Sequence, residues 1–274
     1  MATATITLTE ARPTTEAARS AFIALLLRDL TVLRKELGMF LARTIIQPLL
    51  LIFVFTYVFP KIGQGIGGGK GAYSTVLIAG VLGSVILFQG IQAVALPLVS
   101  EFGYTREIED RVLAPLPVEL VAVEKIVAGA LQCLLAALIV FPIAYFVPAT
   151  PVHITYHWLV LLTFAPLACV AASSLGLMFG TMFDPRTVPL LFGIIVVPLT
   201  FLGCIYFPWQ ALAAIRWLQV AVLFNPLVYM SEGFRAALTP VPHMALWAVY
   251  PVLLGFTVFF VWRGIAGFRN RVLS

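Results

Sequence analysis

Apolar residues run along this chain in long blocks, and the charges fall between them. No Asp, Glu, Lys or Arg occurs between Lys70 and Glu101, or between Lys125 and Asp184. A helix needs about 20 apolar residues to cross the hydrocarbon core of a bilayer. Six stretches meet that length: roughly 40–59, 73–99, 125–147, 158–183, 187–206 and 245–262. A seventh, 209–229, is interrupted by Arg216, Asn225 and Pro226. It reads as a re-entrant or interfacial helix pair, because non-helical backbone at membrane depth needs cover from protein or a water-filled cavity. Asn225 and Pro226 supply the break, and Glu232 and Arg235 follow it three residues apart. The pair is expected at the external interface or lining an exit, where an exposed ion pair is worth little.

The first 38 residues carry a different pattern. Residues 1–15 are rich in Thr and Ala and are expected to be disordered. Over 16–38, Phe22, Leu26, Leu30, Leu33 and Leu37 recur at three- and four-residue spacing, the mark of one helical face. Arg28, Thr31, Lys35 and Glu36 take the other side, with Arg34 close by. An amphipathic helix just before the first span belongs in the membrane interface. The expected fold is therefore an all-α membrane protein: an interfacial helix, then a six-span domain over 39–274. That domain includes a charged loop at 100–119 and a re-entrant segment at 207–240.

Composition excludes a soluble domain. Hydrophobic residues make up 61% and charged residues 11% of the 274, against about 25% charged in soluble domains. The net charge of +5 carries no nucleic-acid signal, since the basic residues flank apolar runs. With the N-terminus inside, the cytoplasmic segments hold Arg12, Arg19, Arg28, Arg34, Lys35, Arg43, Arg106, Arg111, Lys125, Arg186, Arg263, Arg269 and Arg271. The outside keeps only Lys61, Lys70, Arg216 and Arg235. The positive-inside rule then places both termini in the cytoplasm and the chain in the plasma (cytoplasmic) membrane, multi-pass. Cys133, Cys169 and Cys204 lie inside apolar runs without metal spacing and read as small buried hydrophobes. Residues 21–27 are too short and too charged at their end for a cleavable signal peptide.

Residues 64–71 imitate a phosphate-binding loop, but Gln64 stands where its first Gly belongs and Gly71 where its Ser or Thr belongs. No other segment offers a nucleotide-binding loop, so no cofactor is expected on this chain. His153 and His157 are four apart with no third ligand nearby, so no metal site is assigned, and His243 is assigned nothing. Gly176 and Gly180, preceded by Ser173 and Ser174, allow close helix approach, either within the chain or to a second subunit. Polar residues within the spans are neutral: Gln47, Gln89, Gln92 and Gln132. Gln47, Gln89, Gln92 and Tyr206 are the candidate cargo path. No ionisable residue falls in the middle of a span, which argues against proton- or sodium-coupled transport and against acid–base chemistry in the membrane. The energy source is expected outside the bilayer.

The densest polar feature is the island Glu101, Arg106, Glu107, Glu109, Asp110 and Arg111, closed by Pro115 and Pro117. Arg106 with Asp110 and Glu107 with Arg111 are i,i+4 pairs that support one or two helical turns, and the prolines end the helix. A short charged helix at the membrane surface suits a socket on a soluble partner, because charged rims set register and encounter rate.

At these residues the chain resembles the permease family of type-2 ABC exporters. Three stretches carry the likeness: 41–50 (LARTIIQPLL), 106–117 (REIEDRVLAPLP) with Glu124 and Lys125 after it, and 224–235 (FNPLVYMSEGFR). Their order and spacing, rather than any one motif, are distinctive, and they span nearly the whole chain. The resemblance implies two permease copies, expected as a homodimer, driven by two copies of a separate ABC ATPase subunit that carries ATP and Mg. The island, with Glu101 at its start, then matches the coupling helix that docks on the ATPase, and the interfacial helix with Arg28, Arg34 and Lys35 also touches it. Membrane lipids are the remaining partner. The implied function is outward movement of a hydrophobic drug or a lipid-like or glycolipid cargo, without chemistry on this chain. A polysaccharide or lipid-linked glycan exporter is the alternative within the family. A membrane-embedded lipid-modifying enzyme or an assembly scaffold is the alternative outside it.

Overall fold

The computed structural model describes residues 14–62, 72–103, 116–148, 152–183 and 192–273. Residues 1–13 of the expected disordered tail 1–15, the stretch 64–71, and residues 104–115 of the charged loop 100–119 lie outside the described residues, and with them Arg106, Glu107, Glu109, Asp110 and Arg111. So does Arg186.

Among the described residues the fold is entirely helical. The elements in order are α1 (Thr14–Lys35), α2 (Leu37–Phe53), α3 (Ala72–Gly103), α4 (Val118–Phe146), α5 (Trp158–Met182), α6 (Val197–Phe201), α7 (Arg216–Ala221), α8 (Pro226–Leu238) and α9 (Leu246–Leu273). A π-helical turn at Val54–Val58 and a last turn at Phe59–Lys61 extend α2, and a second π turn at Phe192–Val196 leads into α6.

Among the described residues, five helices are long and apolar enough to cross a membrane: Leu37–Lys61, Tyr73–Gly103, Val118–Phe146, Trp158–Met182 and Leu246–Val272. The sixth expected stretch, 187–206, forms no such helix among its described residues. After Phe201 the chain leaves the helix and turns through Cys204, which has a left-handed φ of 52°. The segment 209–229 likewise holds only short pieces, broken at Asn225 before α8 begins.

Helix α3 is the axis of the bundle: 94% of its apolar stretch is buried, against 22% for α2. Lipid is as apolar as Leu, so helices in a bilayer associate through close packing rather than by escaping water. The small residues do this work between α3 and α5. Gly176 lies against the Gly90 carbonyl and Ile91, and a Cβ on Gly90 would overlap Ala172 and Ser173. The Gly176–Gly180 stripe therefore packs within the chain. Around it, Leu77, Ile86 and Ile91 of α3, Cys133 and Ala136 of α4, and Phe164, Cys169 and Ala172 of α5 form one core. Cys133, Cys169 and Cys204 are buried free thiols.

The bundle has two distinct ends. At one, α1 packs on α4 through half-buried Ala18, Ala21, Phe22 and Leu25, beside Phe268 near the end of α9. There Arg271 donates to the carbonyls of Gly180 (3.2 Å) and Phe183 (3.0 Å) and lies over the Phe102 ring. At the other end, α8 is enclosed by α3, α5 and α9, and every one of its thirteen residues is buried. The extended stretch after residue 151 closes its C-terminus, with Thr155 and His157 N–H groups donating to Leu238 and Ala237 carbonyls at 2.9 Å each. Those carbonyls have no donor inside the helix.

Candidate functional site

Two ionic clusters sit at opposite ends of the bundle, and each ties together segments that are distant in sequence.

The first is at the α1 end. Helix α3 has 32 residues, about 48 Å at 1.5 Å per residue, well beyond a hydrocarbon core of about 30 Å. Its last turn therefore projects past the apolar layer and can carry Glu101. Helix α4 starts at Val118, directly after Pro117 and seven residues earlier than the sequence pattern suggests. This earlier start moves Glu119, Glu124 and Lys125 inside the helix. Lys125 Nζ reaches Glu101 Oε1 at 2.8 Å and Asp29 Oδ2 at 3.1 Å, with the Lys125 side chain 4% exposed. Glu124 beside it is fully buried. One ammonium thus joins α1, the end of α3 and the start of α4.

Glu101, expected in the charged loop, lies in the last turn of α3 and in a buried ion pair. Asp29 shows why the sequence reading missed the cluster. It lies on the same helical face as Phe22, Leu25 and Leu33, and a carboxylate on an apolar stripe is the signal of a buried partner. Arg28, Arg34 and Lys35 are exposed on the other faces of α1.

Beside the triad, α1, α2, α3 and α4 leave a half-open cavity of about 510 Å³, within the roughly 300–1,000 Å³ range of ligand pockets. Its charged and polar wall includes Asp29, Glu36, Arg43, Gln92, Glu101, Lys125 and Gln132, and its apolar lip includes Leu33, Met39, Phe40 and Leu96. Of the candidate cargo-path residues, Gln92 lines this cavity. Gln89 lies one turn away, buried, accepting a hydrogen bond from Thr44 Oγ1 at 3.3 Å. Gln47 is exposed on α2. Tyr206 is remote, in an aromatic group with Phe55 and Phe201 near the opposite end. The structure therefore does not bring these four residues into one path.

The second cluster is in α8. Asn225 caps the helix: its side-chain oxygen accepts from the Leu227 N–H at 2.9 Å and its amide donates to the Leu199 carbonyl at 2.6 Å. Pro226 takes the first helical position, where its missing N–H costs nothing. Two turns on, Glu232 and Arg235 are both 0% exposed and paired at 2.7 Å. The Glu232 carboxylate also accepts from the backbone N–H of Trp209 (2.8 Å) and of Met244 (2.7 Å). The Arg235 guanidinium donates to the Cys204 carbonyl and to that of Ile205 at 3.3 Å. The pair, expected at the external interface or lining an exit, is enclosed by protein. Helix α8 is packed all round, so at i,i+3 spacing neither charge can reach solvent, and each is matched by backbone dipoles from the segments on either side. A buried charge persists only when paired and hydrogen-bonded.

Neither cluster is arranged as nucleophile, base and orienting group. Among the described residues no three His, Cys, Asp or Glu side chains converge as metal ligands. Both clusters suit mechanical roles, fixing the angles between helices and the loops that join them.

Comparison with known proteins agrees with this picture. The family profile described as ABC-2 type transporter matches residues 20–239. The inner membrane transport permease YadH of Escherichia coli K12 is 27% identical over 237 residues, covering 82% of this chain and 88% of the relative. The protein of the same name from Shigella flexneri aligns equally well. The matched region includes α1, the α3–α4 connection and α8, the elements that carry both ionic clusters, and the chain belongs to the ABC-2 type transporter family.

Proposed function

We propose that this chain is the membrane-spanning permease subunit of an ATP-driven exporter in the inner membrane, energised by a separate ATPase subunit at its α1 end. The observation that carries this reading is the Lys125 triad. It joins the two helix ends that flank residues 104–115 and fastens both to α1. A push on that loop would pass to three helices together rather than bend one. The charged loop is thus read as the docking element, with both termini on the cytoplasmic side.

Six crossings fit this orientation. Phe183 lies at the α1 end beside Arg271, whereas Ile205 packs on Gly80 toward the opposite end, near the start of α3. Residues 209–238 then form the re-entrant segment on the outer side. Two permease copies with two ATPase copies, and a hydrophobic drug or lipid-like cargo moved outward, complete the reading. The large exposed apolar face of α2 (Met39, Ile46, Leu50 and Phe53) is available to a second copy or to lipid.

The test is charge reversal. Glu107→Lys with Asp110→Lys should leave the chain inserted while weakening co-purification of the ATPase and lowering its cargo-dependent ATP hydrolysis. Lys61→Glu with Lys70→Glu should leave coupling unchanged. Full coupling in the first variant, with loss in the second, would reject the assignment of the loop.

A further inference from the structure

We propose that the cavity between α1 and α2–α4 is a head-group site for a zwitterionic phospholipid of the leaflet at the α1 end. Its polar wall offers both signs of charge, and four side chains in it have no hydrogen bond or ion pair among the described residues: Glu36, Arg43, Gln92 and Gln132. Glu36 and Arg43 oppose each other in sign yet are not paired, so the cavity separates an available anion from an available cation. A head group that carries a phosphate and an ammonium complements that gap, with phosphate toward the Arg43 guanidinium and ammonium toward Glu36.

The remaining chemistry fits the same ligand. Gln92 and Gln132 amides can donate to the ester carbonyls below a phosphate. Pro97 cannot supply an N–H, so the Ala93 carbonyl, also in the cavity wall, lacks its α-helical donor and adds an acceptor for the ammonium. Exposed Met39 and Leu96 form the lip over which acyl chains reach the bilayer. A purely anionic head group would meet Asp29, Glu36 and Glu101, and a purely cationic one Arg28, Arg43 and Lys125. The site depends only on the chain spanning a membrane, so it stands or falls independently of the export reading.

The chain is reconstituted in nanodiscs and exposed in turn to two lipids carrying the same photoactivatable group near the glycerol. One is phosphatidylethanolamine, the other phosphatidylglycerol, and cross-links are mapped by mass spectrometry. Peptides of α2, α3 and α4 around the cavity should take up the zwitterionic probe about threefold to fivefold more, the scale of one or two exposed charge contacts. Glu36→Gln should shift the preference toward phosphatidylglycerol. Arg43→Glu should remove zwitterionic labelling, and Gln92→Ala with Gln132→Ala should lower labelling by both probes. Both charges are exposed on the helix surface, so these variants should fold, which size-exclusion profiles check. Equal labelling by the two lipids, or a preference unchanged in both charge variants, means ordinary annular lipid and overturns the proposal. Competition by millimolar soluble phosphoethanolamine as effective as by the lipid overturns the membrane-lipid assignment.

Discussion

Replacing Glu232 by Ala should be among the most destabilising single changes in the chain. The carboxylate holds three donors within 2.8 Å: the Arg235 guanidinium and the N–H groups of Trp209 and Met244. Removing one partner of a buried ion pair costs about 3–5 kcal/mol, because the other charge is left uncompensated. The two orphaned N–H groups add about 1–3 kcal/mol each where they stay dry. Local rearrangement will recover part of this, so about 4 kcal/mol is a fair central figure. At roughly 2–4 °C per kcal/mol for a chain of this size, the apparent Tm should fall by about 10 °C. The assay is thermal unfolding in mild detergent followed by size-exclusion chromatography with fluorescence detection. Lys61→Ala, at an exposed position, serves as control. A second readout is local: Cys204, whose carbonyl is held by Arg235, should become reactive to a thiol reagent in a background lacking Cys133 and Cys169. Replacing Glu232 and Arg235 together by Gln and Met should cost less than the sum of the two single changes, since neither then leaves a lone charge. A Tm shift no larger than the control's, with Cys204 still protected, would refute the account of this cluster.

Lys125→Met should destabilise by about 3 kcal/mol, the lower end for a buried pair because Asp29 is 15% exposed; the loss should appear in thermal unfolding, and ATPase coupling should fall even at temperatures where the chain stays folded. Gly233→Ala places a methyl group into the Phe164 ring and should cost about 1–3 kcal/mol as overpacking, with partial rescue by Phe164→Leu in the same unfolding assay. Asn225→Ala removes the cap of α8 and its bond to Leu199, for a loss of about 1 kcal/mol in the same measurement. A single cysteine at position 106, in a background without the three native ones, should resist an impermeant thiol reagent added to intact cells; labelling from outside would reverse the orientation.

The sequence by itself determined the class of this protein and the location of most of its helices. Blocks of about 20 apolar residues leave a bilayer as the only compatible solvent, and a helix satisfies its backbone there from within one segment. That requirement is local, so five of the crossing helices were legible from hydropathy alone, as was the helical break at Asn225 and Pro226. What the sequence could not decide was the environment of its few charges. Lys125, Glu101 and Asp29 are far apart in the chain; Lys125 and Glu101 each read as a charge at the edge of a span, and Asp29 lies on the apolar stripe of the interfacial helix. Glu232 and Arg235 read as a pair at the external interface or lining an exit. Whether a charge is wet or buried depends on what packs over it, and here the cover comes from remote segments: α1 over Lys125, and the Cys204, Trp209 and Met244 backbones over Glu232 and Arg235. Within 187–206 the described helix ends at Phe201 for the same reason. The stretch's apolar composition permits a helix, but residues 202–207 are drawn out of one to bring their carbonyls to Arg235 and Ser231. Burying a charge takes hydrogen-bond partners from the whole fold, and only the tertiary structure decides which backbone groups supply them.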